Sequence, residues 1–428
     1  MGVLIFKSME KNNINIINLG CRLNIYEGEV IKALTSENKI SNYTIINSCS
    51  VTHEAEKKVQ YEIRKSKKNF PNKKIIVTGC AAQINPQKYN DIKEVDYVIG
   101  NKEKLQKKTW SSLSNKNPVI VSNIFADNEI NTNIVEKFEG KSRAYIEIQQ
   151  GCDHRCTFCI IPFGRGNNRS VPVGIIVERI KRLVKNGYNE VVLTGVDITD
   201  YGRDLPGKPN LFQLVKRVLN LVQDLKQLRL SSIDCGEITD DFWPLLNEKR
   251  LMPHFHLSLQ AGNNLILKRM KRRHNREQVI NFCQKARSLR RDVVFGADII
   301  AGFPTETEEM FEDSVKLIQE CNLTHLHIFP YSIRENTPAA LMPQVPREII
   351  KKRAKRLREQ GEIQMRNYLQ NQIGNVAIVL IEQVKENISY GKSQHFTKIK
   401  IQKSIKEGEI VKCMILDVNN GTLTAQII

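Results

Sequence analysis

Residues 151–161, GCDHRCTFCII, place Cys152, Cys156 and Cys159 in one short loop, with three and then two residues between them. Three thiolates at this spacing point to one metal centre, yet structural zinc sites and iron–sulfur cubes ordinarily take four protein ligands. The next cysteine, Cys235, is far downstream, which leaves one coordination position open. His154 completes a zinc site only by crowding four ligands into a single loop, whereas structural zinc sites split into two separated pairs. A bacterial ferredoxin carries a further cysteine beside a proline. The remaining reading is a 4Fe-4S cube on three thiolates, with one iron left for a small-molecule ligand.

A second set of cysteines is spread through the first hundred residues. Cys21, Cys49 and Cys80 each come directly after a predicted strand, in INIINLGC, YTIINSC and KIIVTGC. Parallel strands deliver their C-terminal ends to one edge of a sheet, where open α/β folds bind ligands. One cysteine so placed is most simply a buried, inert side chain. Three equivalent placements predict convergence into a second three-cysteine site, again with one position open. The other cysteines, Cys235, Cys283, Cys321 and Cys413, read as structural, Cys235 being the one at a strand end in the site's mouth.

The elements that position these residues follow from apolar periodicity. From residue 10 to 120, short apolar runs alternate with polar helical stretches, which predicts a doubly wound parallel α/β sheet. Thr52 is an expected N-cap of the helix that follows Cys49. Residues 102–142 lack periodicity and read as tail and linker. Between 138 and 370, strand and helix alternate six times, through AYIEIQQG, EVVLTGVD, LRLSSID, HFHLSLQ, VVFGADIIAGFP and HLHIFPYS. This predicts a partial parallel (β/α)6 barrel, whose chemistry belongs at the C-terminal ends of its strands. The cysteine triplet begins directly after the first of them. A helix over about 346–371 leads to residues 371–428, where β-rich stretches and turns such as NNG predict a small β-barrel.

C-x3-C-x2-C after the first barrel strand, with Phe158 before the last cysteine, resembles the radical S-adenosylmethionine superfamily. The resemblance implies that S-adenosylmethionine chelates the open iron and that one electron from the cube cleaves it to a 5′-deoxyadenosyl radical. It places cofactor contacts at Phe158, at Thr194 and Gly195 (TGVD here, where GGE is usual), and at Ser231, Gln260 and Gly302. Each of those strand ends also reads as a turn or cap. Over nearly the whole chain the order of domains resembles the methylthiotransferases, in NLGCRLNIYEGEV, NSCSVT, VTGCAAQ, GCDHRCTFCIIPFGRGNNRSVP, SLQAG and DIIAGFPTET. The last barrel resembles an RNA-binding TRAM domain. The family resemblance implies two 4Fe-4S clusters, one on Cys152, Cys156 and Cys159, the other a sulfur carrier on Cys21, Cys49 and Cys80. It also implies a one-electron donor of flavodoxin or ferredoxin type.

GCRLN, CTFCIIPFGRGNNRSVP and LKRMKRRH are most similar to the members acting on N6-threonylcarbamoyladenosine at position 37 of tRNA. Other substrates in the family are N6-isopentenyladenosine in tRNA and a ribosomal-protein aspartate. A non-enzymatic iron–sulfur RNA-binding protein is the reading from another class. A threonylcarbamoyl group brings a carboxylate, which calls for cationic donors; Arg165 and Arg169 are the candidates from sequence. The formal net charge of +19 favours a polyanionic partner, here the tRNA anticodon stem-loop. Two runs, Leu267–Arg276 and Lys351–Arg358, concentrate that charge, whereas residues from Asn371 onward carry only 7 Lys against 5 acidic residues. The sequence has no apolar run long enough to span a bilayer. The opening MGVLIFKSMEKNN is too short in apolar residues for a signal peptide and lacks a myristoylation pattern, and Met9 is an alternative start. A cytoplasmic protein is expected, in which clustered cysteines bind metal rather than pair.

Overall fold

The structure, a computed structural model, describes residues 4–5, 13–113 and 117–428. Met9, and residue 10 as the first domain boundary, lie outside them. Strands β1 (Leu4–Ile5), β2 (Asn15–Asn18), β3 (Tyr43–Ser48), β4 (Lys74–Gly79), β5 (Tyr97–Ile99) and β6 (Val119–Ile120) form one sheet in chain order. Only β1 is antiparallel to its neighbour. Alternate strand residues face opposite ways, so Ile16, Ile45 and Ile76 share a core with helix α1 (Arg22–Glu37). Ile17, Ile46, Ile75 and Val77 pack instead with Val59 and Ile63 of α2 (His53–Asn69). The expected α/β layer with helices on both faces is thus present. Thr52 caps α2, its hydroxyl accepting the Ala55 N–H at 3.1 Å.

Six parallel strands follow, as expected: β7 (Arg143–Glu147), then, beyond the small pair β8 (Gln149–Gln150) and β9 (Arg169–Ser170), β10 (Glu190–Thr194), β11 (Gln227–Leu230) continued by β12 (Ser232–Ile233), β13 (His254–Gln260), β14 (Val294–Ala301) and β15 (Leu323–Pro330). Ser231 interrupts the third strand, so hydrogen bonding divides the barrel into β11-β10-β7 and β12-β13-β14-β15. Strands β7 and β15 are edges, which leaves the barrel open on one side. Helix α1 packs beside β7, and its Leu23, Tyr26 and Val30 join the barrel's Ala144, Ile146 and Leu193 in one core.

Residues 102–142 differ from the expected linker. They add β6 to the first sheet and bury Trp110, Ile124, Val135 and Phe138. The segment has no period because it is an irregular strap, anchored by single side chains rather than by a face. Phe138 sits edge-on to Tyr145 and Tyr188. Helix Arg347–Gln370 runs along β15 and leads into a closed barrel of β16 (Val376–Lys385), β17 (Ile388–Ser393), β18 (Lys398–Ile401), β19 (Ile410–Asn419) and β20 (Thr422–Ile427). Among the described residues no helix is long and apolar enough to cross a membrane.

Candidate active site

Cys152, Cys156 and Cys159 lie in the loop that leaves β7, each half-buried and none in a disulfide. The loop is held at several points: Cys152 N–H donates to Gly166 O at 3.1 Å, and Thr157 N–H to Met270 O at 3.1 Å. Arg272 donates to Cys156 Sγ at 3.3 Å and also binds Asp234 and Ser258 O. Asp197 faces Cys152 Sγ at 3.7 Å and pairs with His154 at 2.6 Å and Arg273 at 3.3 Å. His154 therefore turns toward Asp197 and Glu237 rather than closing a four-ligand set with the other two cysteines. Burial pushes the Cys159 thiol up to about 12. Burial, with Asp234 beside it, raises Asp197 to about 6, and burial with Asp197 nearby raises Glu237 to about 9.

The strand ends predicted to contact a cofactor make local contacts. The Thr194 carbonyl accepts the Ile148 N–H, and Gly195 lies against Gln149, whose Oε1 accepts the next two backbone N–H groups. Ser231 N–H donates to Leu193 O at 2.9 Å. Gln260 adopts φ +74°. Gly302 N–H donates to Glu306. The Phe158 ring stands edge-on to Phe303, 6.4 Å between centroids. Asp197, Asp234, Glu237 and His274 carry no expected role, and Arg272 and Arg273 are expected only as part of a basic run. Asp197 closes TGVD, and Asp234 and Glu237 lie in DCGE just past the third barrel strand, whereas a charge run by itself reads as a solvated face.

The N-terminal cysteines converge. Cys21 precedes α1, Cys49 follows β3, and Cys80 opens a short helix, Cys80–Ile84, after β4. Cys21 and Cys80 both lie near enough to Cys49 to act on its thiol, and Cys80 acts likewise on Cys21. The glycines of LGC and TGC explain the approach. Gly20 has φ +123°, and a Cβ on it would stand 2.8 Å from Cys49 Cβ; Gly79 has φ +94°, and a Cβ there would stand 2.4 Å from the Ser48 carbonyl oxygen. Only glycine accepts both conditions. Ser48 Oγ accepts the Ala81 N–H at 3.2 Å, tying β3 to the Cys80 helix.

Arg165 joins the two halves. It ends the short helix Ile161–Arg165 downstream of the barrel cysteines and is buried. Its Nε donates to Cys80 Sγ at 3.1 Å, and its guanidinium also binds Glu27, Asn24 and Gln150. Lys104 completes a fully buried ion set, 2.7 Å from Glu27. Burial alone would raise the Glu27 carboxyl, but Arg165 and Lys104 outweigh it and hold it at about 2.

Both donor sets fit an iron–sulfur cube. Each offers three unpaired thiols, and each has a guanidinium on one sulfur, Arg165 on Cys80 and Arg272 on Cys156. Such donors offset the negative charge that three thiolates bring. Burial raises Cys49 to about 12, so its proton leaves only when a cation replaces it.

Residues 146–318 match the family model described as Radical SAM superfamily, and residues 13–100 match one described as Uncharacterized protein family UPF0004. The threonylcarbamoyladenosine tRNA methylthiotransferase MtaB of Rickettsia prowazekii is 51% identical over 96% of this chain and 97% of its own. The chain belongs to the radical S-adenosylmethionine methylthiotransferases. The protein of the same name from Aquifex aeolicus is 34% identical, over 93% of this chain and 98% of its own. A tRNA-2-methylthio-N(6)-dimethylallyladenosine synthase of Carboxydothermus hydrogenoformans is 33% identical, over 87% and 89%. Among solved structures, the radical S-adenosylmethionine methyltransferase TsrM of Kitasatospora setae shares the fold. Its TM-score is 0.53 at 12% identity, covering 73% of this chain and 68% of that one.

Two expectations need correction in this methylthiotransferase. Arg165 is not a free cation at the mouth: its donors are committed to Glu27, Asn24, Gln150 and Cys80. Arg169 pairs with Asp127 at 3.2 Å and donates to two backbone carbonyls. The basic run Leu267–Arg276 is likewise not a phosphate-facing stripe, because Arg272, Arg273 and His274 turn inward and Arg269 binds Thr305. Lys268 and Lys271 remain exposed. Cys283, Cys321 and Cys413 are buried as expected; Cys235 is buried beside Asp234 and His274.

Proposed function

We propose that this methylthiotransferase converts N6-threonylcarbamoyladenosine at position 37 of tRNA into its 2-methylthio derivative, with two 4Fe-4S clusters. The observation that carries the reading is the convergence of two three-cysteine sets at strand ends, with the Ile161–Arg165 helix leading from one to the other. Relatives that are similar over nearly their whole length bear the threonylcarbamoyladenosine name. When bound, the barrel cluster and S-adenosylmethionine supply the radical, and the N-terminal cluster supplies the sulfur. Cys152, Cys156 and Cys159 hold the first, and Cys21, Cys49 and Cys80 the second. Asp197, facing Cys152, offers a carboxylate toward an ammonium group, and Phe158, Thr194, Gly195, Ser231, Gln260 and Gly302 would contact the rest of S-adenosylmethionine. Arg165 holds Cys80 in place from the barrel side.

In the same reading, residues 10–120 form the sulfur-carrying domain, 138–370 the radical barrel and 371–428 a TRAM module that meets the anticodon stem-loop. A flavodoxin or ferredoxin type of protein donates electrons, and the enzyme works in the cytoplasm. Nucleoside mass spectrometry of tRNA from a deletion strain tests the substrate. Loss of 2-methylthio-N6-threonylcarbamoyladenosine with accumulation of its precursor is expected. Accumulation of unmethylthiolated isopentenyladenosine instead would overturn the substrate reading.

A further inference from the structure

The lumen of the open barrel carries polar side chains that neither cysteine set uses. Phe255 and Phe295 point outward, where they meet Phe242 and Phe282 of the helix layer. Strand alternation therefore sends His256, Asp298, His325 and His327 inward. One oxygen of Asp298 lies 2.9 Å from His256 Nε2 and 3.0 Å from His327 Nδ1. A Cβ on Gly296 would stand 2.5 Å from His256 Nδ1, so only glycine leaves room for this cluster. The cluster is not sealed. His327 is 51% exposed along its side chain, and among the described residues its Nε2 has no hydrogen-bond partner.

Arg22 reaches the same lumen from the first turn of α1, one residue after Cys21. Its ionisable neighbours are Tyr145, Arg143, Glu190 and Asp298. Its guanidinium lies 5.5 Å from the centroid of Phe396, a side chain of the β17–β18 loop that also stacks on His254 at 5.7 Å and closes the lumen floor. Arg143 and Arg229, also over Phe396, are both paired with Glu190. Arg22 has no carboxylate or hydrogen-bond partner among the described residues. A half-buried guanidinium with no carboxylate in contact is costly, and an anionic ligand that forks onto it offsets that cost.

We propose that Arg22 and His327 form the binding site for the carboxylate-bearing N6 substituent of the modified adenosine. Arg22 takes the carboxylate, and His327 Nε2, the acceptor nitrogen while Nδ1–H is donated to Asp298, accepts from the hydroxyl or a ureido N–H. Asp298 and His256 are positioning residues that hold the His327 ring. The site rests on the threonylcarbamoyladenosine reading above and names the residues that read it. A hydrocarbon substituent would leave the Arg22 charge unpaired, which is how such a site rejects a prenylated base.

The test compares two synthetic anticodon stem-loops with the reconstituted enzyme, one carrying N6-threonylcarbamoyladenosine and one carrying its neutral primary amide. The unmutated enzyme should prefer the acid by about tenfold or more in kcat/KM, as expected for one charge-assisted pair. Arg22→Ala should erase that preference, mainly through KM, at unchanged iron content, and Arg22→Lys should restore part of it. If Arg22→Ala loses iron, the near-isosteric neutral Arg22→Gln carries the comparison. His327→Ala should weaken both substrates while keeping the acid preference. Equal use of acid and amide by the unmutated enzyme, or full acid preference in the neutral Arg22 variants, would overturn the site while leaving the proposed function standing. Turnover of an isopentenyladenosine stem-loop, with none of either threonylcarbamoyl form, would overturn the proposed function and this site with it.

Discussion

At the scale of residues, the charges around the sulfur atoms decide what each set can hold. Glu27 lies between Lys104 and Arg165, all three buried. Glu27→Gln leaves two cations without a counter-charge and should destabilise the enzyme by about 3–5 kcal/mol, read as a fall in Tm. The sign of the pH dependence follows from the same set. The Glu27 carboxyl is held at about 2, below its ordinary 4.5, so its contribution is complete above about pH 4.5. It is lost as pH falls toward 2. A stability curve in Glu27→Gln that keeps the full acid-induced loss of the unmutated enzyme would assign that loss to other groups. The cysteines give a cross-pattern. Cys49→Ala should still cleave S-adenosylmethionine to 5′-deoxyadenosine yet form no methylthio product. Cys156→Ala should abolish 5′-deoxyadenosine while the N-terminal site keeps about four iron. Full methylthiolation by Cys49→Ala would return Cys21, Cys49 and Cys80 to inert core residues.

Among elements, the two tight entries into the N-terminal site matter most. Gly79 has φ +94°, and a side chain there would meet Ser48 backbone atoms at 2.4 and 2.5 Å. Backbone cannot swing aside as a side-chain tip does. Gly79→Ala should push β4 away from β3 and cost the N-terminal iron, about four per chain, while the barrel iron stays. Iron and sulfide analysis of the purified variant measures this, and retention of the full complement would show that the edge tolerates a Cβ. The strap over residues 124–138 is a second such element. Its pieces were unreadable in the sequence because anchors such as Ile124 and Phe138 are spaced by contact and not by period.

For the whole molecule, the excess of +19 charges is distributed differently from the runs in the sequence. Arg269, Arg272, Arg273 and Arg276 bind protein groups. On the Arg347–Gln370 helix, Arg353 is buried against Glu306 and Glu308, while Lys351, Lys352, Lys355 and Arg358 are exposed. Each phosphate neutralised contributes about 0.7 to the log–log salt slope of single-stranded RNA binding. Replacing those four by Gln should therefore flatten the slope for tRNA more than replacing Lys268 and Lys271 does. An equal or larger effect from the Lys268 and Lys271 pair would place the main phosphate track along the barrel mouth instead.

The sequence by itself determined the parts governed by local pattern: six barrel strands, the α/β layer, the closing β-barrel, and both cysteine sets with their glycines. Periods of 2 and 3.6, turn residues and ligand spacing are properties of adjacent residues, so they survive without a structure. What the charged residues do was decided only by tertiary packing. Arg22 and Arg165 follow cysteine motifs and Arg272 sits in a basic run, yet nothing in those neighbours says what each guanidinium binds. Arg165 binds a sulfur of the other domain, Arg272 a sulfur of its own barrel, and Arg22 lies over Phe396 with no carboxylate or hydrogen-bond partner among the described residues. A long side chain takes its role from whichever carboxylate, sulfur or ring lies at its far end, and those partners come from residues distant in the chain.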